Sequence, residues 1–140
     1  MKIKHYILGI SLVLLLYSCA QNPKDMIPHL NGYWEIAEVT FKDGSTKAFT
    51  VNTQIDYMYI DDSVGLRKKV VPMFDGSFKS TDDQEMIKVD IVNDSLLLLY
   101  TTPFDSWKET VLQADNEQLT VLTEDGNTYV YKRFDKITLD

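Results

Sequence analysis

The residues able to do chemistry are few, and Cys19, the chain's single cysteine, is the first to weigh. A lone thiol closes no intramolecular disulfide, so it either stays free or is modified. The two histidines, His5 and His29, both lie early. Beyond residue 30 the chain therefore lacks imidazole, the commonest general base and metal ligand. No Gly-rich phosphate loop, Ser-centred elbow or spaced ligand set occurs. Asp82-Asp83-Gln84-Glu85 offers oxygen ligands that could take Ca²⁺, but it reads better as a solvated acidic loop, and Asp61-Asp62 as a turn. No enzyme activity, metal or cofactor is expected. What remains is a set of aromatic and charged side chains suited to binding: Tyr57, Tyr59, Arg67, Lys69, Tyr100, Trp107, Glu109 and Tyr129.

The setting of Cys19 gives it a role. Lys2 and Lys4 precede the uncharged run Ile-Leu-Gly-Ile-Ser-Leu-Val-Leu-Leu-Leu-Tyr at positions 7–17. A bilayer-spanning helix needs about 20 apolar residues, so this run is too short for a stable span and suits a signal-peptide core. Leu16-Tyr17-Ser18-Cys19 then resembles the lipobox of bacterial lipoproteins, with an aliphatic residue at −3 and a small one at −1; Tyr17 is bulkier than the usual residue at −2. The resemblance implies diacylglycerol on the Cys19 sulfur, cleavage before it, and acylation (palmitate or a similar chain) of the new amino group. It places the protein in the bacterial cell envelope, held to a membrane through Cys19, with the outer membrane favoured in a Gram-negative cell. One acyl chain anchors only marginally and several hold firmly, so the chain needs no transmembrane helix.

Residues 1–18 are thus read as a signal peptide, 19–30 as a flexible tether and 31–140 as one domain. Loss of Lys2 and Lys4 with the leader leaves 12 basic and 21 acidic residues, a net charge of −9. Such a surface is unsuited to nucleic acid, whose phosphates need clustered Lys and Arg; Arg67-Lys68-Lys69 is the longest basic run.

From Gly32 onward the pattern is short stretches of period two. Strands are expected at 33–41, 55–60, 64–71, 77–79, 86–92, 95–101, 106–113, 118–123 and 127–134. Asp43-Gly44, Asp75-Gly76, Asn93-Asp94 and Asp125-Gly126 supply turns between them. No amphipathic helix stands out. Strands at this spacing, joined in order, predict an all-β antiparallel up-and-down meander of eight or nine strands, closed as a barrel or packed as a sandwich.

Leu30-Asn31-Gly32-Tyr33-Trp34 resembles the Gly-x-Trp signature at the first strand of lipocalin-like barrels, and Tyr129-Val130-Tyr131-Lys132-Arg133-Phe134 is similar to the aromatic-Lys-Arg ending of bacterial lipocalin-like lipoproteins. Asp56-Tyr57, Leu66-Arg67-Lys68-Lys69 and Trp107-Lys108-Glu109 extend the likeness to uncharacterised lipoproteins of this kind. The resemblance favours the closed barrel and implies that Gly32, Trp34 and Arg133 close its lower end, the guanidinium stacking on the indole.

Two functions are compatible with such a barrel. Its lumen could bind a small apolar or amphipathic ligand, lined by the aromatic and charged residues named above. Alternatively the barrel is filled, and an outer face or open end docks a protein partner. Arg67 and Lys69 share one strand face, as do Trp107 and Glu109. Alternation alone does not say whether those faces point in or out.

Overall fold

The computed structural model describes residues 20–136; the leader, Cys19 and residues 137–140 fall outside them. Nine strands form: β1 (Gly32–Thr40), β2 (Thr46–Ala48), β3 (Ile55–Asp61), β4 (Val64–Pro72), β5 (Phe78–Val92), β6 (Ser95–Thr101), β7 (Ser106–Ala114), β8 (Gln118–Thr123) and β9 (Thr128–Arg133). From β3 to β9 each strand pairs antiparallel with the next, and β9 returns to pair with β1. The first residues of β1, Gly32 to Trp34, pair with β3. The result is a closed eight-stranded barrel, the expected meander, with β2 added as a short ribbon on Glu38–Thr40. Closure removes the open edges that an antiparallel sheet would otherwise expose.

Two strand assignments change. β2 had no clear sequence signal, and segments 77–79 and 86–92 belong to one fifteen-residue strand, β5. Asp82-Asp83-Gln84-Glu85 is therefore strand rather than a loop. Ladder pairing overrides the weak strand preference of Asp and Ser here: Gln84 lies opposite Lys68 and Ser80 opposite Val70, so three β5 residues bulge against the single Lys69. Thr81 Oγ1 donates to the Lys69 carbonyl at 2.8 Å and secures the bend.

The tether expected at 19–30 is also corrected, because residues 21–30 dock on the barrel. Asn22 caps a short helix, α1 (Pro23–Met26), accepting from Lys24 N, with Pro23 in the first turn where its missing N–H costs nothing. A 3-10 turn, Ile27–His29, follows. Met26 and Leu30 are buried in the barrel core. This apolar face spans too few residues to show a period, so the prolines made it read as a linker.

Pairing with Trp34 sets which residues point inward, since partners across a ladder share a face. At the lower end Trp34, Met58, Ile60, Ile87, Val89, Leu96, Leu98, Val111, Leu119 and Val121 fill the lumen. Trp34 closes it: its Nε1 donates to the Leu30 carbonyl at 2.8 Å, and the Arg133 guanidinium lies 3.7 Å from the indole centre. Arg133 also donates to the carbonyls of His29, Asn31, Asp115 and Asn116, tying the plug, the start of β1 and the β7–β8 turn together. Gly32 has φ +128°, and a Cβ there would come within 2.5 Å of Arg133 Nη1, so only glycine lets the guanidinium cross. Gly32, Trp34 and Arg133 thus lie together at this end of the barrel.

Candidate functional site

Above this packed floor the inward positions change character. In β4, Arg67 and Lys69 point into the lumen, because Arg67 pairs with Met58 and Lys69 with Asp56, both on the inner face of β3. In β6 and β7, Tyr100 pairs with Trp107 above Leu98 and Glu109. In β9, Tyr131 and Tyr129 follow Arg133 at two-residue steps. One alternation thus delivers six of the eight ligand-lining candidates, Arg67, Lys69, Tyr100, Trp107, Glu109 and Tyr129, to one end of the barrel interior.

The other two, Tyr57 and Tyr59, are on the opposite face. They alternate with buried Met58 and Ile60 and therefore point outward. Tyr57 packs at 4.9 Å on Tyr33, which stacks at 4.0 Å on Phe78 of the β4–β5 hairpin. Tyr59 is 48% exposed. Tyr57 belongs to an aromatic cluster on the outer wall, and neither residue lines the lumen. Their strong aromatic signal came from the outer wall, where the hairpin folds across β1 and β3.

The inward residues form an ion network at mid-height. The Arg67 guanidinium is in ion-pair contact with Glu85 through Nε, lies 3.6 Å from Glu109 Oε2 and donates to the Tyr100 hydroxyl at 3.3 Å. It also sits 4.2 Å from the Tyr100 ring centre, and Trp107 stacks on that ring at 5.3 Å. Lys69 Nζ lies 2.6 Å from Asp56 Oδ1. That oxygen is sealed from solvent and lacks an aligned hydrogen-bond donor, so the contact is an ion pair with poor hydrogen-bond geometry.

Burial sets the charge states. It raises the Glu109 pKa; Arg67 and the Tyr100 hydroxyl oppose the rise, while Glu85 and Asp56 add to it. Burial alone would lower the Arg67 pKa, but Tyr100, Glu85 and Glu109 outweigh it and keep the guanidinium charged. Burial also raises Tyr100 and Tyr131, so both phenols stay neutral at physiological pH.

Two spaces flank this network. Below it, among Trp34, Met58, Leu119, Val121 and Tyr131, about 10 Å³ remains, roughly room for one water. Above it a cup of about 330 Å³ opens outward, its sides formed by Trp107, Tyr129, Tyr131, Arg67, Lys69 and Glu109 and its rim by Thr123, Glu124 and Asp125. The volume falls at the low end of the range for small-molecule sites.

Tyr131, an aromatic of the last strand, also belongs to this site, as do Asp56 and Glu85, although the residue types of these two did not mark them. The signal was present in the parity: counting by twos from Trp34 along the ladders reaches each of them. Among the described residues no group of three or more His, Cys, Asp or Glu is placed to hold a metal. No helix among them is long and apolar enough to cross a membrane.

No protein-family model and no curated protein matches the chain. Among solved structures, a lipocalin-like protein from Bacteroides uniformis is similar, with a TM-score of 0.48 at 12% identity, covering 76% of this chain and 99% of that one. An uncharacterized protein from Bacteroides eggerthii is similar at a TM-score of 0.48 and 11% identity, covering 75% of this chain and 99% of that one.

Proposed function

We propose that this protein is a lipid-anchored binding protein of the bacterial envelope that takes up one small molecule in the open half of its barrel. The observation that carries the reading is the 330 Å³ cup, walled by aromatic and charged side chains and floored by a buried ion network. A barrel whose only role is to dock a partner has no need to keep such a network beneath an open mouth, because hydrophobic residues of similar volume fill an interior at no greater cost. The lining points to a polar or amphipathic ligand rather than a wholly apolar one.

The anchor adds an orientation. Gln21 donates to the Ala114 carbonyl at 2.6 Å and accepts from Ala114 N at 3.1 Å, which pins it at the closed end. Cys19 is two residues earlier, a reach of about 7 Å along the chain. With acyl chains on Cys19, the sealed end sits against the membrane and the cup opens away from it.

Native mass spectrometry of full-length protein extracted from membranes tests the binding reading. A small molecule released on denaturation and missing from a Trp107→Ala/Tyr129→Ala variant is the expected result. Unliganded protein across several mild extractions would count against it. For the anchor, Cys19→Ala should release the protein from membranes and abolish labelling by a fatty-acid probe.

A further inference from the structure

The balance of charge and the aromatic walls together say what kind of molecule the cup takes. Its two inward cations both have acidic partners: Arg67, largely buried, pairs with Glu85, and Lys69, whose side chain is 45% exposed, pairs with Asp56. With those two partners included, the cup and its floor hold Asp56, Glu85, Glu109, Glu124 and Asp125 against Arg67, Lys69 and Lys108, Arg67 being shared between Glu85 and Glu109. Lys108 pairs with Leu99, on the face of β7 opposite to Trp107 and Glu109. The cup therefore holds an excess of negative charge, in a chain whose formal net charge is −7 even before processing. A cleft with low-dielectric walls focuses such a field and concentrates ions of the opposite sign.

Glu109 is the acid within reach of a ligand at the bottom of this space. Its side chain is only 9% exposed, and the nearest cation is 3.6 Å away, beyond hydrogen-bond length. Trp107, Tyr129 and Tyr131 stand around it. Aromatic faces attract cations, Trp most strongly, and the attraction grows where water is excluded. An anion entering here would meet the acidic rim and compete with Glu85 and Glu109 for Arg67.

We infer that the cup selects small organic cations, the ligand's ammonium group pairing with Glu109 between the rings of Trp107, Tyr129 and Tyr131. This rests on the reading of the cup as a ligand site and names the class of ligand. The space is at the low end of the range for small-molecule sites, so the ligand is a small amine rather than a long-chain lipid. Burial raises the Glu109 pKa, Arg67 and Tyr100 oppose the rise and Glu85 and Asp56 add to it, and a bound cation favours the ionised carboxylate. Affinity therefore rises with pH as Glu109 ionises and then levels off.

Calorimetric titration of full-length protein in detergent tests this with four probes. Choline and tyramine carry the charge, 4-propylphenol is a neutral counterpart of tyramine, and 4-hydroxyphenylacetate is an anion of similar shape. The expected result is that at least one of the two amines binds about tenfold more tightly than the neutral and anionic probes. Its affinity should climb as pH rises through the raised Glu109 range and then level off. Glu109→Gln, which keeps the shape and an uncharged side chain, should melt as the parent does at low pH, lose about tenfold in amine affinity and lose the pH dependence. Tighter binding of the anion, equal binding of the neutral probe, amine affinity unchanged in Glu109→Gln, or no amine binding at millimolar concentration would each overturn the assignment. If native mass spectrometry finds a neutral or acidic molecule in the cup, the binding reading stands and the cation assignment fails.

Discussion

The two halves of this barrel are built from the same strands by the same alternation, yet they do opposite things. In the lower half the inward positions of β1, β3 and β5–β8 are Trp, Met, Ile, Leu and Val, all nearly inaccessible, and a helical plug seals the end. In the upper half the same positions, a few residues along, become Arg67, Lys69, Glu85, Trp107, Glu109 and Tyr129, and the end is left open. Apolar burial contributes roughly 25 cal/mol per Å², so the lower half supplies most of the fold's stability and lets the upper half carry buried charge. The lesson is a division of labour along the barrel axis, with stability at the plugged end and recognition at the open one.

That division can be broken from either side. Trp34→Ala removes a fully buried indole, its hydrogen bond to Leu30 and the Arg133 stack. It should cost about 3–5 kcal/mol by urea denaturation, the largest effect expected of a single substitution in this barrel. Next comes Arg67→Met, which leaves Glu85 and Glu109 without their shared cation. It should cost about 3 kcal/mol, most of it restored when Glu85→Gln and Glu109→Gln are added, since the penalty is that of unpaired buried charge. Failure of that rescue would mean the stem of Arg67, not its charge, supports the site.

A smaller effect is read through pH. The folded-state pKa of Glu109 is raised, so the folded form holds this proton more tightly than the unfolded chain does. Its contribution is greatest at low pH and declines as pH rises from the ordinary glutamate range through the raised value, after which it is constant. Melting temperatures should show this decline in the parent and a flatter curve in Glu109→Gln. Asp115 acts in the opposite direction at lower pH: Gln113 and the N–H groups of Glu117 and Gln118 hold its pKa down, so its contribution is lost on acidification. The smallest effect belongs to the outer wall. Tyr59→Ser should change stability by no more than about 0.5 kcal/mol and leave ligand uptake intact.

The sequence carried the fold further than it carried the site. Period-two stretches and Asx-Gly turns located eight of the nine strands, and Gly32, Trp34 and Arg133 marked the closed end. Periodicity left open which face of each strand looks inward, because β1 presents apolar residues on both sides and a bulge between Ile36 and Glu38 shifts its parity. Tyr57 and Tyr59 show the consequence: an aromatic strand reads alike whether it faces a lumen or a hairpin folded over the outside. Asp56 and Glu85 were hard to see for the converse reason, since a carboxylate beside other polar residues looks solvated until the ladder pairs it with Lys69 or Arg67. The plug, residues 21–30, was hidden by its brevity.

Site-selective quenching tests the contrast between the halves most directly, because the chain has only two tryptophans and each reports on one half. Trp34 is 1% exposed beneath the plug, and Trp107 lines the mouth. Acrylamide should quench the parent protein substantially and a Trp107→Phe variant hardly at all. Equal quenching of the two proteins would show that the lower half is not sealed, and would contradict the division of the barrel into a closed core and an open cup.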